Sequence, residues 1–170
     1  MRHPPGESRG EGSRGPPGLP LGTLAKAAVV LEIFLSVGAL GGGGALLLGP
    51  RGEVIPLPTS ALQGSPFETY FAPGLILFLV LGIGPLVAAA LAWRRHPVAP
   101  LAAAAVGAAL LMWMAVEIAI VGYAKDPPLQ MFYIFLGAAI AVLGLGWRAS
   151  IRRQESRSPS VPSARPPRSP

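Results

Sequence analysis

Four apolar runs, each long enough for a helix to cross a bilayer, fill most of the chain between residues 24 and 147. About 20 apolar residues rising 1.5 Å each span the hydrocarbon core of a membrane. The runs therefore predict an all-α membrane protein: four transmembrane helices in an antiparallel bundle, at about 24–48, 73–93, 98–122 and 129–147. Composition agrees, because 51% hydrophobic and 13% charged residues, with a mean hydropathy of +0.52, are too apolar for an ordinary soluble domain. Short connections, Arg94-Arg95-His96-Pro97 and Asp126-Pro127-Pro128, make sequential helices antiparallel neighbours.

Charge divides the chain into three parts. The region before residue 24 carries +1, residues 24–147 are neutral, and the remainder carries +5, which together give the net +6. Residues 1–22, rich in Gly, Pro and Arg, bury too little apolar surface to order themselves, and are expected to form a disordered cytoplasmic tail. A disordered basic cytoplasmic tail is likewise expected at 148–170, its arginines placed to meet anionic lipid. Between them lies one four-helix transmembrane domain, 23–147. The tail arginines have no interleaved aromatics, so nucleic acid is not an expected partner. Lys26, Arg94, Arg95, Arg148, Arg152 and Arg153 cluster at one side of the array, whereas the first and third connections hold only Arg51 and Lys125. The positive-inside rule then puts both termini in the cytoplasm.

The chain has no cysteine and two isolated histidines, His3 and His96. That composition leaves no thiolate or paired-histidine metal site, and no cofactor or metal is expected. The first run carries a tetraglycine, Gly41–Gly44, which predicts a bend or fraying unless a neighbour packs closely. Gly38 and Gly42 have the GxxxG spacing that lets membrane helices approach. Pro85 removes a backbone donor from the second run and should kink it near Gly82 and Gly84. In the first connection, Ser65-Pro66-Phe67-Glu68 fits a helix start with a capping box. A short interfacial helix carrying Phe67, Tyr70 and Phe71 is expected there.

Two acids stand inside apolar runs, Glu32 and Glu117. Such residues usually face the bundle or a water-filled cavity and are functional candidates. Glu32 shares a helical face with Ala28, Ser36, Ala39 and Gly43, the small side of the first span, and reads as an intramembrane packing carboxylate. Glu117 lies on a face with Leu110, Met114 and Val121, near the outer end of the third span. Counting rise from each span's midpoint separates the two by about 15–18 Å in depth, which excludes a shared proton or a dinuclear metal site. Within about two turns of Glu117's membrane face lie Gln130, Tyr133, Tyr70 and Glu68. With Trp113 these residues are expected to form an outward-opening polar pocket for a ligand or partner. For Glu117 itself the first reading is a protonated, hydrogen-bonded contact to a neighbouring helix, ahead of the ligand pocket, with contact to another subunit third.

SPFETYFAPG at 65–74, Glu117 flanked by Trp and Met and followed by Gly122-Tyr123, and LQMFY at 129–133 give the chain a further character. In these segments it resembles small uncharacterised four-span bacterial integral membrane proteins, over approximately 50–147. The resemblance implies a multi-pass protein of the bacterial plasma membrane and transfers no catalytic residue. No serine or threonine has a histidine base nearby and no phosphate-binding loop precedes a helix. The expected function is a non-enzymatic accessory subunit or small binding module, in contact with lipid and with another membrane protein or a second copy. The alternatives are a proton- or ion-linked carrier component acting as an oligomer and, third, a membrane enzyme acting on lipid.

Overall fold

Alanine, leucine and valine dominate the apolar runs, and they hold helices here with no capping side chain at the first three starts. The computed structural model describes residues 22–123 and 128–157. It contains α1 (Thr23–Leu48), α2 (Phe71–Trp93), α3 (Ala99–Val121) and α4 (Leu129–Arg157). All four are long and apolar enough to cross a membrane. The fold is all-α, and no strand occurs among the described residues. Residues 1–21, 124–127 and 158–170, which include most of the two expected disordered tails, lie outside those described.

The helices form an up-and-down ring in which α1 packs on α2, α3 on α4, and α4 back on α1, with α2 and α4 on opposite corners. Small residues set the spacing. The buried face of α1 runs Ala25, Ala28, Glu32, Ser36, Ala39 and Gly43, the stripe that the positions of small residues predict. The helix runs without a break through the tetraglycine to Leu48, and α2 lies directly against it. A Cβ at Gly43 would come within 2.8 Å of the Phe78 backbone nitrogen, and one at Gly74 within 2.7 Å of Leu46 Cβ. The GxxxG pair serves contacts within the chain, Gly38 beside the Tyr133 hydroxyl and Gly42 beside Leu77. Between α3 and α4 the approach is closer still. A Cβ at Gly107 would strike the Ala141 backbone and one at Gly144 the Ala104 backbone.

α2 departs from regular helix where Pro85 requires it. Residues Leu77–Ile83 form a π-helical stretch that ends just before the proline, a widened turn that absorbs the missing donor. The Ser36 hydroxyl of α1 donates to the Gly82 carbonyl in this stretch. Neighbouring hydroxyls and π turns are the means by which membrane helices tolerate proline.

Two boundaries differ from the sequence expectation. Residues 148–157, expected to begin a disordered tail, are helical as the end of α4. Neither glycine nor proline falls between Trp147 and Arg157, so a helix already nucleated in the span continues cheaply through Ala, Arg, Gln and Glu. The capping-box helix at Ser65 does not form. Ser65 Oγ instead accepts the Phe67 N–H at 3.2 Å, a local serine turn. Tyr70 explains why: its N–H donates to the Pro50 carbonyl at 2.8 Å and its hydroxyl to the Pro58 carbonyl at 2.9 Å. A helix starting at Ser65 would need that N–H for its own ladder. The connection's only helical turn among the described residues is the 3₁₀ segment Thr59–Leu62.

Candidate ligand-binding cavity

The third span changes character along its length. Its first half is mostly Pro, Ala and Gly (Pro100, Ala102–Ala105, Gly107–Ala109, with Leu101 and Val106), and its second half carries Leu111, Met112, Trp113, Met114 and Val116. Small residues let α3 lie close to α2 near Trp93, while large ones hold the two apart beside the π stretch. The gap left at that end is a cavity of about 480 Å³, within the range of small-ligand sites. Ile76, Leu77 and Val80 of α2 form one wall, and Met112, Trp113 and Val116 of α3 the other. Leu46 of α1 closes the back.

The first connection forms its roof. Leu57, Ala61, Leu62, Phe67 and Tyr70 line the cavity from above. Leu62 and Tyr70 are buried with Leu46 as a small apolar cluster, joined by Ile55, Phe67 and Ile120. The Tyr70 hydrogen bonds to Pro50 and Pro58 pin this roof at both ends of its loop. Removal of the phenol from water also raises the Tyr70 pKa above its ordinary value.

Among the described residues one carboxylate lines the cavity, that of Glu117, half-buried on the α3 wall. Gln130 holds it. The buried Gln130 amide donates to Glu117 Oε1 at 3.3 Å and to the Gly122 carbonyl at 3.1 Å. Gly122 ends α3 in a left-handed conformation, φ 84°, so the same amide binds the end of α3 and steadies the acid one turn earlier.

The sequence-derived candidates thus separate. Glu117, Trp113 and Tyr70 line the cavity, and Gln130 stands behind Glu117. Tyr133 does not join them: it packs on the main core, beside Gly38 of α1 and edge-on to Phe132 at 5.5 Å. Glu68 is exposed and lines a shallow groove on the roof with Thr59, Ser60 and Gln63. The expected polar pocket is therefore corrected to an apolar one with a single carboxylate. Its polar neighbours are taken up by the helix end and the loop, whose backbone groups need partners more than an open cavity does. The apolar lining escaped sequence reasoning because Ile76, Val80, Met112 and Val116 look like any lipid-facing residues. The size step within α3 was the one available signal.

Glu32 occupies a different place. It is 1% exposed, inside the bundle one turn from Ser36, and its Oε1 has no hydrogen-bond partner among the described residues. The two acids are not brought together, and no group of three His, Asp or Glu side chains assembles among the described residues. Comparison with protein-family models, with curated proteins and with solved structures finds no match to this chain.

Proposed function

We propose that the chain is a non-enzymatic binding module of a bacterial plasma membrane, with both termini in the cytoplasm, that holds an apolar ligand or partner segment in its outward half. The observation that carries this reading is the roofed cavity between α2 and α3, predominantly apolar, with Glu117 its one charged lining residue among those described. A carboxylate held by an amide in an apolar surround can orient a ligand by charge and hydrogen bonding. Binding modules use few polar groups in this way. An accessory role follows if the ligand is a segment of another membrane protein.

The test is saturable binding of an apolar fluorescent dye to the purified protein in mild detergent. One site per chain is expected, and Val80→Phe, which adds bulk at the wall, should abolish it. Equal dye uptake by both proteins would mean partition into micelles and would remove the reading. Orientation is checked by thiol labelling, since the chain lacks cysteine: Glu53→Cys should react from outside cells and Arg95→Cys only after permeabilisation.

A second reading, a proton- or ion-linked carrier component, is favoured by one observation, the buried Oε1 of Glu32, which has no hydrogen-bond partner among the described residues. It requires that Glu32→Gln abolish a proton-dependent flux in vesicles while insertion is retained.

A further inference from the structure

We infer that the occupant of the cavity is one acyl chain of a bilayer phospholipid whose headgroup bears an ammonium, with that ammonium set against Glu117. The inference rests on the cavity being a ligand site and adds the identity of the ligand. Three observations support it, concerning access, depth and charge.

The access is lateral. Ile76, Val80, Met112 and Val116 line the cavity and are also exposed, Met112 at 71% and Val80 at 47%. In a helix that crosses a membrane such side chains face acyl chains, so the cavity opens into lipid. The pinned roof of Leu62, Phe67 and Tyr70 closes it toward water. A water-borne ligand would have to displace that cluster, whereas a lipid chain need only move sideways.

Depth places the polar end. Glu117 lies four residues before the end of α3 at Val121, about 6 Å along the axis. That is where a phospholipid passes from acyl chain to headgroup. A lipid with its tail between Val80 and Met112 brings its headgroup to the carboxylate without stretching.

Charge selects the headgroup. The carboxylate accepts the Gln130 amide at Oε1, and a carboxylate has about four acceptor sites. The described residues at this end contribute Glu53, Glu68 and Glu117 against Arg51 alone. An ammonium donor complements that field, while a headgroup with net negative charge is repelled by it.

The experiment is native mass spectrometry of the protein extracted in mild detergent from vesicles containing equal amounts of ethanolamine- and glycerol-headgroup phospholipid. The wild-type chain should retain one lipid, with the ethanolamine form favoured about threefold, as a single partly exposed ion pair supports. Glu117→Gln should keep one lipid and lose the preference. Val80→Phe and Val116→Phe, on opposite walls, should each release it, so that failure of one variant to fold leaves the other informative. No retained lipid, equal retention of both lipids by the wild type, or undiminished retention in both wall variants would each overturn the inference. If the wild type holds no lipid but still binds the dye, only the lipid assignment falls. Loss of both dye and lipid binding removes the cavity as a ligand site.

Discussion

The α3–α4 interface and the gap between α2 and α3 share a helix, yet one is packed backbone to backbone and the other stands open. Along α4, α3 presents Gly107 and Ala104 to Ala141 and Gly144, with no room for another methyl. Toward the π stretch of α2, the same helix presents Trp113, Met112 and Val116, and a cavity remains. Lipid tails are as apolar as leucine, so membrane helices gain little from hiding apolar surface and associate where small residues let them touch. The lesson is that in this bundle hydrophobicity does not mark contact; side-chain size does.

The sharpest way to break the comparison is to add volume where there is none. Gly107→Val should destabilise the bundle by about 3 kcal/mol, read from the unfolding midpoint in detergent mixtures. Gly41, whose Cβ would meet nothing within 4 Å, is the matched control. Gly41→Ala should be neutral or stabilising by up to about 1 kcal/mol. A gain at both positions would show that helix propensity, and not contact, governs these glycines.

The α1–α2 contact adds a polar case to the comparison. Ser36→Ala removes the donor to the Gly82 carbonyl and should cost about 0.6 kcal/mol, the average for hydrogen bonds between membrane helices, and at most about 1.7 kcal/mol. The same titration reads it. No loss would mean that the π stretch satisfies itself.

Over the open side the roof should be separable from the bundle. Tyr70→Phe removes the hydrogen bond to Pro58 and should cost about 1 kcal/mol while speeding thiol labelling of a cysteine at position 61. Its pH dependence has a definite sign. A phenol with a raised folded-state value contributes fully below its unfolded value, about pH 10, and loses that contribution as pH climbs through the folded value. The wild-type roof should loosen in that alkaline range, and Tyr70→Phe should lack this step.

The last test lies at the opposite end of the bundle. Arg95 takes φ 56° after α2, with His96 N–H bonded to the Leu91 carbonyl and Arg95 N–H to that of Ala92. This double closure usually employs glycine at the left-handed position. Arg95→Gly should stabilise the turn by about 1 kcal/mol, seen as a small upward shift of the unfolding midpoint. A downward shift would mean that the guanidinium holds this end more than the backbone strains it.

Much of the bundle was legible from the chain. The number of helices, their order and the buried face of α1 through Ala28, Glu32, Ser36 and Gly43 all follow from run length and the positions of small residues. The placing of Glu117 near Tyr70 and Trp113 was legible too. Glu68 was misplaced because the first connection folds as turns and not as the expected helix, and Tyr133 for a different reason. Depth can be counted from sequence, but rotation about the axis, and so which neighbour a side chain faces, cannot be counted when every face is apolar.

That division separates the two contributions. The sequence alone determined that this chain makes four antiparallel spans, because backbone hydrogen bonding in lipid leaves a 20-residue apolar run essentially one choice. Tertiary structure alone decided that α2 and α3 part at one end, that the first connection folds over the gap, and that a single carboxylate looks into it. Those features depend on how volumes from four distant segments meet. No local property of Val80, Met112, Leu62 or Glu117 encodes their convergence.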